Sequence, residues 1–149
     1  GETPLVVALD GVTDVRNLGA IARTAECFGA TALLVPTSGS APINEEAVKS
    51  SAGALLRIPM CRAKNMASAV SSVTNLGLQA VAVSEKGTTE LSALNNDTPT
   101  CLVLGDEHQG VSNDVLKHCT SSISIPMQGK TSSLNVGVAA GIVLYAYRS

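Results

Sequence analysis

Along the chain, short apolar runs alternate with longer stretches of helical spacing. "LVVAL" (Leu5–Leu9), "ALLV" (Ala32–Val35), "AVAV" (Ala80–Val83), "CLVL" (Cys101–Leu104) and "SISI" (Ser122–Ile125) predict strands, and the weaker "RIPM" (Arg57–Met60) predicts a sixth. Helical patterns fall between them at Asn17–Phe28, Asn44–Gly53, Lys64–Leu76, Ser112–His118 and Ser133–Arg148. This order predicts an α/β fold, a mostly parallel sheet with helices on both faces. No repeat or linker divides the 149 residues, a length that suits one domain with one core.

In the first helix, Leu18, Ile21, Ala25 and Phe28 form one apolar face, and Arg23 points almost the opposite way, with Arg16 near the same direction. Asn17 is the expected N-terminal cap and Gly29 the expected C-terminal close. The two arginines either form a solvated back face or meet a partner. In the last helix, Leu134, Val138, Ile142 and Tyr145 are spaced as a core stripe, with Ser132 or Ser133 as cap. Gly137 and Gly141, four apart, suit close packing against another backbone.

Composition narrows the picture. The chain is 45% hydrophobic and 15% charged, which excludes a disordered segment. It has no Trp, so the core must come from Val, Leu, Ile and Ala. No apolar run approaches the roughly 18 residues of a membrane span, and no signal peptide opens the chain. "GETPLVVALD" enters a strand almost at once, which reads as a trimmed start lacking an N-terminal extension. Cys27, Cys61, Cys101 and Cys119 lack C-x-x-C spacing, and only His108 and His118 could join them, so no metal site is expected. Buried free thiols in a reducing, cytoplasmic compartment are the expectation. The net charge of −2 weighs slightly against nucleic-acid binding, leaving only a local basic surface from Arg16, Arg23, Arg57, Arg62 and Lys64.

In open α/β sheets, ligands bind outside the carboxyl ends of the strands. Three Gly-rich loops belong there: "DGVTDVRNLG" after Leu9, "GDEHQGVS" after Leu104 and "PMQGKTSSLN" after Ile125. None matches a dinucleotide fingerprint, a phosphate loop or a nucleophile elbow. Gly105 would let a ligand approach the backbone closely, so Gly105→Val is expected to remove ligand binding without unfolding. On local pattern alone, Glu107 is either exposed or a cap for the helix after Ser112.

Together, "NLGAIARTAECFGA", "LVLGDEHQGVS" and "IPMQGKTSSLNVGVAAGI" resemble the three motifs of the TrmH/SpoU branch of the SPOUT methyltransferases, in order and at family spacing over nearly the whole chain. The opening "LDGVTDVRNLGAIARTA" resembles the RlmB-type enzymes, which methylate guanosine ribose in large-subunit ribosomal RNA. The resemblance implies a C-terminal deep trefoil knot, S-adenosylmethionine as methyl donor, no metal, and a homodimer whose active site draws on both subunits. It implies donor contacts from Leu104, Gly105, Ile125, Met127 and Leu134, with Leu104 and Met127 flanking the adenine. Arg23 matches the family's catalytic arginine, and Asn17, Glu107, Ser133 and Asn135 match its other active-site polar positions. The family proposal makes that arginine the base. A guanidinium does not readily give up its proton, so Arg23 is read instead as a clamp on RNA phosphate.

Two departures stand out: "VRN" where RlmB-type sequences often have Pro-His-Asn, and Gly137 for a usual Ser. The RlmB-type N-terminal RNA-binding domain is absent, so the chain reads as a catalytic domain over residues 1–149. Ribosomal RNA is the favoured substrate. Transfer RNA, or a catalytically silent RNA-binding module, is the alternative, and a small-molecule enzyme is the rival from another class.

Overall fold

A computed structural model describes residues 3–149. Among the described residues seven strands form one sheet: β1 (Leu5–Asp10), β2 (Ala32–Pro36), β3 (Met60–Ala63), β4 (Gln79–Val83), β5 (Thr89–Glu90), β6 (Thr100–Gly105) and β7 (Ser121–Ser124). Their order is β3-β2-β1-β6-β4-β7-β5, and every pairing is parallel. The helices are α1 (Val15–Cys27), α2 (Glu45–Ser50), α3 (Met66–Asn75), α4 (Asn113–Leu116) and α5 (Val136–Arg148). The α/β expectation is met. β3 sits later than the expected Arg57–Met60, because Ala54–Leu56 forms a one-turn 3₁₀ helix that carries the chain past it. The two-residue β5 was not expected from the pattern, being too short to show a period.

The sheet is covered on both faces, and successive side chains of one strand feed two cores. Leu5, Val7, Leu9, Leu33, Val35, Leu102 and Leu104 join residues of α1, α2 and α5 in one cluster. Ala8, Leu34, Ala80, Ala82, Cys101 and Val103 join residues of α3 and α4 in the other. Strands buried on both faces read as continuous apolar runs, which is why β1 and β6 were legible.

Gly19 shows how tightly α2 lies on α1. A Cβ there would meet Ser50 Cβ at 2.5 Å and Ala47 O at 3.0 Å. The last helix returns to α1, where a Cβ on Gly137 would lie 3.4 Å from Ala20 Cβ, and one on Gly141 3.8 Å from Thr24 Cγ2. The two glycines do face a neighbouring helix, as their spacing predicts. The expected core stripe does not hold. Leu134, Val138, Ile142 and Tyr145 are exposed, at 39%, 52%, 36% and 66%. Ala140, Val143, Leu144 and Tyr147 face the core instead. α5 is apolar nearly all round, so spacing alone could not choose the buried face.

Tyr147 is fully buried and its hydroxyl donates to Thr98 O at 2.7 Å. Tyr147→Phe should therefore cost about 1 kcal/mol, the worth of one hydrogen bond with its carbonyl left behind, and lower Tm by about 2–4 °C in a thermal melt.

Candidate active site

β1 and β6 lie side by side, with Asp10 opposite Gly105. The helices that follow them sit on opposite faces, so their loops diverge at the carboxyl edge of the sheet. Such a switch point is where open α/β sheets hold ligands.

Asp14 caps α1, its Oδ1 accepting from Arg16 N at 2.7 Å and Asn17 N at 3.2 Å. Asn17 was the expected cap. It lies instead inside the first turn, because Asp14, three residues earlier, already meets the free N–H groups. Its carboxamide is thereby released for the site. The same displacement occurs at α5: Asn135, not Ser132 or Ser133, is the cap, its Oδ1 accepting from Gly137 N at 2.8 Å and Val138 N at 3.2 Å. The helix accordingly begins at Val136, not Ser133. Ser112 caps α4 as its position suggests.

Glu107 neither caps α4 nor stands free. Its Oε1 accepts from Thr13 N at 3.2 Å, Asp14 N at 3.2 Å and Asn17 Nδ2 at 3.3 Å. Asn135 Nδ2 donates to Asn17 Oδ1 at 3.0 Å. One residue from each of the three loops thus enters one hydrogen-bonded line, Glu107–Asn17–Asn135. The loop after β6 is braced further. Asp10 Oδ2 accepts from Ser112 N at 2.8 Å. Asp106 accepts from His108 N and Gln109 N, which holds its carboxyl below the usual carboxylate range. Asp10 and Asp14 were missed as site-building residues, although Asp14 carried a legible signal as an Asp directly ahead of an apolar helix.

Residues 126–134 form no hydrogen bond within the chain among the described residues, by backbone or side chain. Met127 and Leu134 in this segment are 38% and 39% exposed. Ser133 is exposed and outside the hydrogen-bonded line. Ile125 is half-buried against the main core, and Leu104 is 2% exposed within it. Leu104 can therefore offer a ligand only its backbone.

Gly105 corrects an expectation. Its φ is not positive, and a Cβ on it would stand 2.1 Å from Gly110 C and from Val111 N. The space beside it is filled by the chain's own backbone.

Arg23 is exposed, as its place opposite Leu18 and Ile21 predicts, and has no hydrogen bond or ion pair among the described residues. It is not joined to the Glu107–Asn17–Asn135 line. Arg16 lies 3.9 Å from Asp14 Oδ1. Arg57 is committed to Glu26, with two N–O contacts at 3.1 and 3.0 Å.

All four cysteines are free, but only Cys101 is buried, and Cys27 and Cys61 are exposed, against the expectation of buried thiols. Burial pushes the Cys101 thiol up to about 12, and burial with the nearby Asp10 charge pushes Cys119 up to about 11, so neither is a nucleophile near neutral pH. Among the described residues no group of three His, Cys, Asp or Glu could hold a metal, and no helix is long and apolar enough to cross a membrane.

Residues 4–145 match the model of the SpoU rRNA methylase family. The chain is 44% identical over 140 residues to an uncharacterized tRNA/rRNA methyltransferase of Mycolicibacterium smegmatis, covering 94% of this chain and 45% of that protein. The SpoU methyltransferase AviRb of Streptomyces viridochromogenes, solved with AdoMet, superposes with a TM-score of 0.88 at 32% identity, covering 99% of this chain and 58% of that one. An RNA 2′-O ribose methyltransferase superposes with a TM-score of 0.85 at 26% identity, covering 99% and 56%. The chain spans about half the length of these relatives. A family match that begins at Pro4, just ahead of β1, and runs to Tyr145 in α5 takes in all three loops of the candidate site, and the chain belongs to the SpoU rRNA methylase family.

Proposed function

We propose that this chain is the catalytic domain of an S-adenosylmethionine-dependent RNA methyltransferase acting on a ribose 2′-oxygen, with a guanosine of large-subunit ribosomal RNA as substrate. The observation that carries this reading is the convergence of the three motif loops. Glu107, Asn17 and Asn135 are hydrogen-bonded in line, and the line ends beside a segment, 126–134, whose backbone groups are unused by the chain. Exposed Met127 and Leu134 offer apolar cover for a purine, while the free N–H and C=O groups suit an adenosine's polar edges. These residues fit the methyl donor. The relatives solved with AdoMet and as 2′-O ribose methyltransferases support the same reading. The "LDGVTDVRNLGAIARTA" opening favours ribosomal over transfer RNA.

When bound, the donor supplies an already activated sulfonium methyl group. The chain's own task is to place a ribose hydroxyl in line and stabilise the charge developing on its oxygen. Arg23, free of any partner among the described residues, is the group available to clamp an RNA phosphate beside that ribose. Gly105 and Leu104 contribute backbone edges, Ile125 the base of the donor loop, and Ser133 a free hydroxyl. No step needs a metal. The free thiols fit a cytoplasmic setting. We further read the return of α5 onto α1, with Asn96 Nδ2 donating to Ser149 O at 3.1 Å, as the closing pass of the trefoil knot.

The exposed stripe of Val138, Ile142 and Tyr145, with Phe28 edge-on to Tyr145 at 6.3 Å, is the homodimer face in this reading. Ile142→Glu should leave the Tm of the single chain nearly unchanged while converting dimer to monomer in sedimentation velocity, and a wild-type monomer would remove the dimer from this account. The reading as a whole is tested by calorimetric titration with S-adenosylmethionine. Saturable one-to-one binding is expected, with none for a nicotinamide dinucleotide. Heat from the dinucleotide alone would support the small-molecule rival.

A further inference from the structure

The orientation of a carboxamide is ordinarily ambiguous, because its oxygen and nitrogen are alike in shape. Here both ends of the line settle it. Backbone N–H groups can only donate. The Asn135 atom facing Gly137 N and Val138 N must therefore be oxygen, at 2.8 and 3.2 Å. Its nitrogen then faces Asn17 at 3.0 Å, and the Asn17 atom there must accept. The Asn17 nitrogen in turn faces Glu107 Oε1 at 3.3 Å. That oxygen also takes Thr13 N and Asp14 N, two further backbone donors. No member can be turned without setting donor against donor or acceptor against acceptor.

We propose that Asn17 and Asn135 are positioning residues forming a one-way amide relay anchored on Glu107. The inference rests on the functional reading above and adds to it a role for these residues that the relatives' names do not state. The relay pins the N-terminus of α5, and with it the end of segment 126–134, to the loops after β1 and β6. It also decides what remains for a ligand. Each carboxamide nitrogen keeps a second hydrogen with no partner among the described residues. Each amide thus has an N–H to present, suited to an acceptor such as a carboxylate, phosphate or ribose oxygen.

The test separates this role from simple helix capping. Asn135→Asp retains the cap, since Asp caps as well as Asn and its charge suits a helix N-terminus. Its Tm should stay within about 2 °C of wild type. It cannot donate to Asn17 Oδ1, so affinity for S-adenosylmethionine, measured by calorimetry, should fall at least tenfold at pH 8. The same two backbone N–H groups hold the new carboxylate charged at pH 5 as well, so the deficit relative to wild type at the same pH should persist there. Asn17→Asp sets two carboxylates face to face. It should lower Tm relative to wild type at pH 8 more than at pH 5, with no donor present. Donor affinity equal to wild type in Asn135→Asp would overturn the positioning role. A pH-independent Tm difference in Asn17→Asp would overturn the relay itself. Absence of donor binding by the wild-type chain would instead overturn the functional reading, and the Asn17→Asp melts would still decide the relay.

Discussion

Gly105→Val should unfold the chain or lower its stability by more than about 3 kcal/mol, with Gly105→Ala not far behind. Asp106–Gly110 folds back on itself through paired backbone bonds, Asp106 N to Gly110 O at 3.1 Å and Gly110 N to Asp106 O at 3.0 Å. That reversal lays the Gly110–Val111 peptide directly over Gly105, 2.1 Å from where a Cβ would stand. A side chain at the buried end of β6 has no flexible neighbour to push aside, only backbone that the sheet and the turn hold in place. The loss should appear as a fall in Tm of about 6 °C or more, followed by circular dichroism. An unchanged Tm would show that the turn can lift away. Donor affinity in this variant is then a consequence of the fold, not a separate report on the site.

Arg23→Ala should do the reverse, keeping the fold and removing most methyl transfer. Leu18, Ile21, Ala22 and Ala25 carry the buried face of α1, and Arg23 is exposed away from them. Alanine is the better helix former, so stability should move by less than about 1 kcal/mol. Methyl transfer in single turnover by the full-length enzyme should fall by about a hundredfold or more, the scale of losing one well-placed charge-stabilising group. Arg23→Lys should recover little, because a planar fork becomes a point charge. S-adenosylmethionine affinity should barely change in either variant. Near-normal turnover in Arg23→Ala would return Arg23 to the role of a solvated residue on the back of α1.

Much of the fold was legible because β1, β2, β4 and β6 are buried on both faces and so are written as unbroken apolar runs. The two faces of α5 were not. A helix that is apolar nearly all round does not say which side meets the sheet, and Val138, Ile142 and Tyr145 went to the outside. Candidate site residues were legible as motif members, but their physical parts were not. Capping residues compete, and at both α1 and α5 the residue expected to cap lost to a neighbour: Asp14 freed Asn17, and Asn135 displaced Ser133. Glu107 illustrates the limit most clearly. Its partners Thr13, Asp14 and Asn17 lie 90 or more positions away, and only the parallel pairing of β1 with β6 brings them together.

Methyl transfer by this family member to an RNA ribose is the step on which the proposed function stands. It is tested most directly by incubating the full-length enzyme with S-adenosylmethionine and ribosomal RNA, digesting the RNA to nucleosides and locating the added methyl by mass spectrometry. The expected product is a 2′-O-methylguanosine from large-subunit RNA, lost with Arg23→Ala. A methyl group on a base, or none on any RNA under conditions where the donor binds, would contradict it.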